Sequence, residues 1–255
     1  MTAISTTLRL ADRDVPRMGL GTNRLTPEHA GFIREAVDAG LRHIDTAHLY
    51  TGGESERTIG ASGVAGRDDL VIATKGGYRA GEGRPEVLRS QLEQSLASLR
   101  VDAIDLYYLH RVDPETPFEE TLGALAEELS RGTILAVGLS DVTVEQIEHA
   151  RTILPVTAVQ NHYNLAERGY DDVIDHCAAE DIVFVPYFPL KGGSAAVEEI
   201  AKRHGVGTNA VKLAWLLHRS PTVLPIPGTL SLDHLRENLA ALELELSAEE
   251  LEALS

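Results

Sequence analysis

HIDTA at 43–47, LVIATK at 70–75 and AIDLYYLH at 103–110 share one design: a short aliphatic run that carries or closes on an ionisable group. Their length and β-branched content suit strands buried on both faces. Five further runs of this kind flank them: MGLGT (18–22), AVGLSD (136–141), AVQNHYN (158–164), IVFVPYFP (182–189) and VLPIPGT (223–229). Segments of helical period separate the runs. TPEHAGFIREAVDAG (26–40) opens with Thr26 as N-cap and Pro27 at the first helical position, and stops at Gly40. PEVLRSQLEQSLASLR (85–100) sets Val87, Leu88, Leu92, Leu96 and Leu99 on one face. PFEETLGALAEELSRG (117–132), TVEQIEHARTIL (143–154), DDVIDHCAAED (171–181), TNAVKLAWLLHR (208–219), SLDHLRENLAAL (231–242) and SAEELEALS (247–255) follow, with SERTIGASG (55–63) the weakest of the set.

Eight strand–helix pairs in 255 residues predict a (β/α)₈ barrel as one domain spanning 1–255. The competing arrangement is an open doubly wound sheet, which asks for G-x-G-x-x-G after the first strand. Gly19-Leu20-Gly21-Thr22-Asn23-Arg24 lacks the third glycine. Thr6–Arg17 reads as a β-hairpin turning at Ala11-Asp12-Arg13-Asp14 and plugging the barrel bottom.

Composition narrows the function. Hydrophobic residues make up 43% and charged residues 24%, as in ordinary globular proteins. The net charge of −16 opposes binding to a phosphate backbone, so no nucleic-acid partner is expected. One cysteine, Cys177, permits no intrachain disulfide and no multi-cysteine metal site; it reads as core filler, and no metal is expected. MTAISTTLRLADRD has no apolar signal core, and no run reaches the ~18 apolar residues of a membrane span, so a cytoplasmic protein is expected.

Barrel enzymes work at the C-terminal ends of their strands. Here those ends carry Asp45, Lys75 and His110, with Tyr50 five positions beyond Asp45. Taken singly, each has an ordinary explanation as a cap, a solvated lysine or a structural histidine. Brought to one mouth, they form a proton donor. A phenol with a pKa near 10 is a poor acid at neutral pH, and a neighbouring ammonium lowers it. Lys75 supplies that charge, Asp45 holds Lys75, and His110 aims a substrate oxygen at the phenol. No G-x-S-x-G elbow or H-E-x-x-H pair is present.

GLRHIDTAHLY (40–50) resembles the G-x-R-x-x-D-T-A-x-x-Y signature of the aldo-keto reductases, NAD(P)H-dependent carbonyl reductases built on this barrel. LVIATK and DAIDLYYLHRVD (102–113) resemble the strands that deliver the family's lysine and histidine. The resemblance implies that Asp45, Tyr50, Lys75 and His110 form the catalytic tetrad, Tyr50 being the acid. It places Gly21, Thr22 and Asp45 beside the cofactor, and Ser140 and Gln160 on its carboxamide. Asp141 stands where the family usually has Asn; a carboxylate accepts from the carboxamide NH₂ but cannot donate to its oxygen. Tyr187 would stack on the nicotinamide next to Phe188, and Leu190 and Gly192 would lie over the pyrophosphate. Pro227, Gly228, Thr229, His234, Glu237 and Asn238 match the adenosine-phosphate segment, with Gly228 and His234 replacing a frequent Lys and Arg. NADPH is the expected cofactor, with NADH the alternative.

The substrate loops are expected to offer Asn23, His48, Tyr78, Arg111 and Phe188, suiting a polar or anionic carbonyl compound. The family's long C-terminal loop has no counterpart after SAEELEALS, so the pocket should be open on that side. The bacterial pyridoxal-reductase-like branch is the nearest in pattern; reduction of a sugar or polyketide ketone is the rival. A monomer or weak homo-oligomer is expected. Two other functions remain open: a non-catalytic cofactor-binding barrel acting as sensor or subunit, and a lyase forming a Schiff base through Lys75.

Overall fold

The computed structural model describes residues 5–254. Met1–Ile4, the start of the segment read as lacking a signal core, and Ser255, the last residue of the expected C-terminal helix, lie outside them. Strands β1 (Thr7–Leu10) and β2 (Arg13–Pro16) pair antiparallel, with Leu10 opposite Arg13. The turn is tighter than expected from sequence: only Ala11 and Asp12 lie in it, at φ 45° and 62°, while Arg13 and Asp14 already belong to β2. Two left-handed residues make the hairpin link whose twist matches the strands.

Seven strands then run parallel in chain order: β3 (Leu20–Gly21), β4 (His43–Asp45), β5 (Val71–Gly76), β6 (Leu106–Leu109), β7 (Val137–Ser140), β8 (Ala158–Gln160) and β9 (Val183–Phe184). The eighth stave departs from expectation. Residues 223–228 form no regular strand among the described residues, yet they close the (β/α)₈ barrel: Leu224 N donates to Phe184 O at 2.9 Å and Gly19 N to Pro225 O at 2.9 Å. Pro225 and Pro227 remove every second ladder donor, which leaves only isolated bridges from Val223 to Phe184 and from Gly228 to Gly21. A Cβ on Gly21 would sit 2.8 Å from Ile226 O, so this seam requires glycine.

Two buried clusters follow from strand alternation. Tyr107 faces the helices, whereas Tyr108 faces the lumen with Val71, Ala73, Leu106, Ala158 and Leu224. Leu10 and Val15 of the hairpin join the lumen cluster, so the hairpin does plug the bottom. Gly138 on β7 leaves room for the Tyr108 ring, which a Cβ there would overlap. Arg17 is buried below, donating to Val223 O and Leu217 O at 3.0 and 2.9 Å.

The helices are α1 (Ala30–Asp38), α2 (Glu54–Ser62), α3 (Pro85–Leu99), α4 (Phe118–Arg131), α5 (Val144–Arg151), α6 (Asp171–Ala179), α7 (Ala195–His204), α8 (Thr208–Arg219), α9 (Leu232–Ala240) and α10 (Ala248–Ala253). Pro27–His29 form a 3₁₀ turn ahead of α1. The weakly patterned SERTIGASG is a full helix, because its small residues let Gly60 pack against the Ser98 and Leu99 backbone of α3. Helix α7 went unread in the sequence, although Ser194 caps it, Gly205 ends it in the left-handed region, and Val197, Ile200 and Ala201 are buried. Cys177 is fully buried on α6, and burial pushes its thiol up to about 12. No helix of the described residues is long and apolar enough to cross a membrane.

Candidate active site

Asp45 ends β4, Lys75 lies near the end of β5, His110 follows β6, and Tyr50 opens a 3₁₀ turn after β4. The barrel therefore brings together the four ionisable groups read from strand ends. Lys75 Nζ donates to Asp45 Oδ1 at 2.5 Å, to Thr46 O at 2.8 Å and to Tyr50 Oη at 3.5 Å. Gln160 Nε2, at the end of β8, donates to the other Asp45 oxygen at 2.8 Å. The His110 ring meets Tyr50 edge-on, with centroids 6.0 Å apart.

Burial sets the protonation states. The Lys75 side chain is 0% exposed and that of Asp45 1%. Burial alone would pull Lys75 down, but Asp45 and Tyr50 together raise it above its ordinary value, so it stays cationic. A cationic, buried amine with its donors committed is no Schiff-base nucleophile, which removes the main support for a lyase. For Tyr50 the expected lowering does not prevail. Burial raises its pKa, and the opposing pull of Lys75 is not enough to reverse that, so the phenol carries its proton. Burial, with Lys75 and Arg111 nearby, lowers His110 to about 3, so its imidazole is neutral.

Asp45, Tyr50 and His110 line a cleft of about 640 Å³ at the C-terminal mouth, with Lys75 buried behind them. Of the residues expected there, Gly21, Thr22, Asn23, Asp45, Tyr50, Tyr78, His110, Arg111, Ser140, Asp141, Gln160, Tyr187, Phe188, Leu190 and Gly228 line it. Asp141 adopts φ 55° and accepts from Tyr187 Oη at 2.8 Å. Tyr187 stacks flat on His162, with centroids 5.1 Å apart. His48 faces instead a neighbouring cavity of about 290 Å³ behind Lys75, with Glu56 and Gln91.

The sequence matches the model of the Aldo/keto reductase family over residues 17–255. The chain belongs to this family. It is 36% identical to pyridoxine 4-dehydrogenase of Escherichia coli (strain K12), over 98% of this chain and 97% of that protein. Among solved structures, it resembles a thermostable aldo-keto reductase crystallised with the inhibitor epalrestat (33% identity, 98% of both chains, TM-score 0.89). It also resembles an aldo/keto reductase from Klebsiella pneumoniae in complex with NADP and acetate (28% identity, 98% of this chain and 94% of that one, TM-score 0.88).

The remaining expected residues of this aldo/keto reductase do not line the cleft. Pro227 and Thr229 flank Gly228, and the Thr229 hydroxyl accepts from Ser231 N at 3.1 Å. Ser231 caps α9, on which His234 and Glu237 are exposed and Asn238 is buried. Gly192, at φ 79°, packs against Ala166 and does not line the cleft. The sequence reading missed Arg24, Leu49, Pro189, Lys191 and Ile226, which do line it. Arg24 and Lys191 each adjoin an expected residue in a loop after a strand, so the strand-end rule could have found both. The polar groups fit a nicotinamide cofactor: Ser140 and Gln160, paired across β7 and β8, line the cleft together with the Asp141 carboxylate. Tyr187, backed by His162, brings an aromatic ring to the cleft, and Gly21 and Gly228 contribute backbone but no side chain to its lining. Among the described residues no group of three His, Cys, Asp or Glu is placed to hold a metal ion.

Proposed function

We propose that this chain is an NADPH-dependent carbonyl reductase in which Tyr50 protonates the carbonyl oxygen of an aldehyde or ketone. The observation that carries the reading is the buried Asp45–Lys75–Tyr50 series beside a neutral His110. When bound, the reduced nicotinamide supplies the hydride. Ser140, Asp141 and Gln160 would hold its carboxamide and Tyr187 its ring. Gly21, Thr22, Phe188, Leu190 and Gly192, together with the 227–238 segment, would hold the rest.

As negative charge grows on the carbonyl oxygen, the Tyr50 O–H donates to it. Lys75 stabilises the phenolate left behind, and Asp45 keeps Lys75 charged and aimed. Neutral His110 offers the same oxygen an N–H without adding a charge that would repel Lys75. Burial of Asp45 and Lys75 excludes water, which strengthens each of these interactions. The alternative in which the cofactor is NADH is separated by measuring both dissociation constants. The whole chain, 1–255, would act as one barrel domain, as a cytoplasmic monomer or weak homo-oligomer.

Tyr50→Phe tests the assignment. Reduction should fall by about 10²–10⁴, while the dissociation constant for NADPH, read by fluorescence, stays within about twofold. A variant keeping more than about a third of wild-type turnover would remove Tyr50 as the acid. The similarity to pyridoxine 4-dehydrogenase supports including pyridoxal in the carbonyl panel.

A further inference from the structure

Arg111 follows His110 directly, so its side chain starts one residue from the carbonyl site. Its guanidinium is fixed on two sides. Nε lies 3.3 Å from Asp141 Oδ2, and the other oxygen of that carboxylate is held by Tyr187. Cζ sits 4.6 Å from the centre of the Tyr78 ring, which is in turn 4.8 Å from His110. The terminal nitrogens Nη1 and Nη2 have no hydrogen-bond partner among the described residues, and the side chain is 50% exposed where it lines the cleft. A guanidinium ion-paired through Nε and stacked on its face, with both terminal nitrogens unengaged, can receive a planar oxyanion.

The charge around it points the same way. The chain carries −16 overall, yet Arg24, Arg111 and Lys191 line the cleft against only Asp45 and Asp141. Asp45 is neutralised from beneath by Lys75, and Asp141 is matched by Arg111 itself. Lys191 stands between the residues assigned to the cofactor pyrophosphate, so Arg111, next to His110, is the cation left for an anion beside the carbonyl site.

We propose that Arg111 selects carbonyl substrates bearing an anionic group, its free fork receiving a carboxylate while the carbonyl oxygen lies at Tyr50 and His110. This rests on the reading of the cleft as the carbonyl-reduction site. Because Arg111 and His110 are consecutive and share Tyr78, the carboxylate and carbonyl belong on one small molecule, an oxo acid or a formyl aromatic acid.

The probes are 4-formylbenzoate and its methyl ester, which differ in charge at one end. With the NADPH complex, kcat/KM for the acid should exceed that for the ester by about tenfold or more, as a charge-assisted contact predicts. Arg111→Gln should bring the ratio near one, and Arg111→Lys, which keeps the charge but not the fork, should restore part of it. Independently of turnover, the dissociation constant of benzoate from the NADPH complex should weaken about tenfold in Arg111→Gln and with added salt. If the wild type reduces the ester as well as the acid, the inference is overturned while carbonyl reduction stands. If neither aldehyde is reduced, the reading of the reaction fails. Benzoate then decides the role of Arg111: equal affinity in wild type and Arg111→Gln overturns it, and weakened binding upholds an anion site.

Discussion

Replacing Lys75 with Met tests the electrostatic core of the proposed chemistry. At 3.5 Å an ammonium and a phenolate attract by about 5 kcal/mol at an effective dielectric near 20. Tyr50 borders the open cleft, where solvent screens part of that attraction, so loss of the ammonium moves the phenol upward by less than the full pairing implies. The single substitution also strands Asp45, 1% exposed, without its counter-ion, at a cost of about 3–5 kcal/mol. Lys75→Met/Asp45→Asn avoids that. The ammonium acts on Tyr50 more strongly than the carboxylate does, so the net shift in the double variant is still upward. Carbonyl reduction uses the protonated phenol, and alcohol oxidation uses the phenolate. Below the pKa, each unit of upward shift lowers the phenolate fraction tenfold. Because both directions pass through one transition state, kcat/KM for reduction and for alcohol oxidation should fall together at any one pH, by about 10–100-fold, while the Tyr50 limb of each profile moves to higher pH. The assay is the pH dependence of kcat/KM in both directions, on protein whose thermal melting is intact. Unmoved pH limbs in both directions would refute the coupling of Lys75 to Tyr50.

Three other outcomes are expected. His110, lowered to about 3, stays neutral through the working range, so reduction should show no limb between about pH 5 and 8 that His110→Gln abolishes; a limb lost in that variant would contradict it. Gly228→Lys should raise the NADPH-over-NADH affinity ratio about tenfold or more through a charge-assisted contact to the 2′-phosphate, even if the tight 3.3 Å approach of the new Cβ to Gly21 O weakens both cofactors; an unchanged ratio would show that 227–238 does not hold that phosphate. Glu56 is raised by burial, so the folded state binds its proton more tightly than the unfolded state does, and stability falls as pH rises through that window. Glu56→Gln should flatten this slope and raise Tm at pH 7 relative to pH 5 in thermal melts, and an unchanged slope would count against it.

The order of strands and helices was legible because each strand of a barrel is buried on both faces and reads as an apolar run by itself. The ionisable groups that the barrel brings together were legible for the same reason, since a lone Asp45, Lys75 or His110 at the end of such a run stands out. The eighth stave escaped this rule. Whether 223–228 is a strand depends on which backbone donors its prolines leave free, and closure depends on Gly21 meeting Ile226 and Gly228 across the seam. Helix α2 was faint in sequence because small residues, not an apolar stripe, let it approach α3. The ionisation of the site was beyond the sequence altogether. From residue types alone Lys75 should lower Tyr50, yet burial by the surrounding barrel outweighs it. Likewise no spacing rule turns His48 away from the cleft or lays Arg111 across Tyr78 onto Asp141. The sequence by itself determined which chemical groups each strand end carries, because that depends on local order along the chain. Tertiary structure alone decided which of those groups share a cavity and how far water is excluded from them, because distance and desolvation arise only when remote segments pack together.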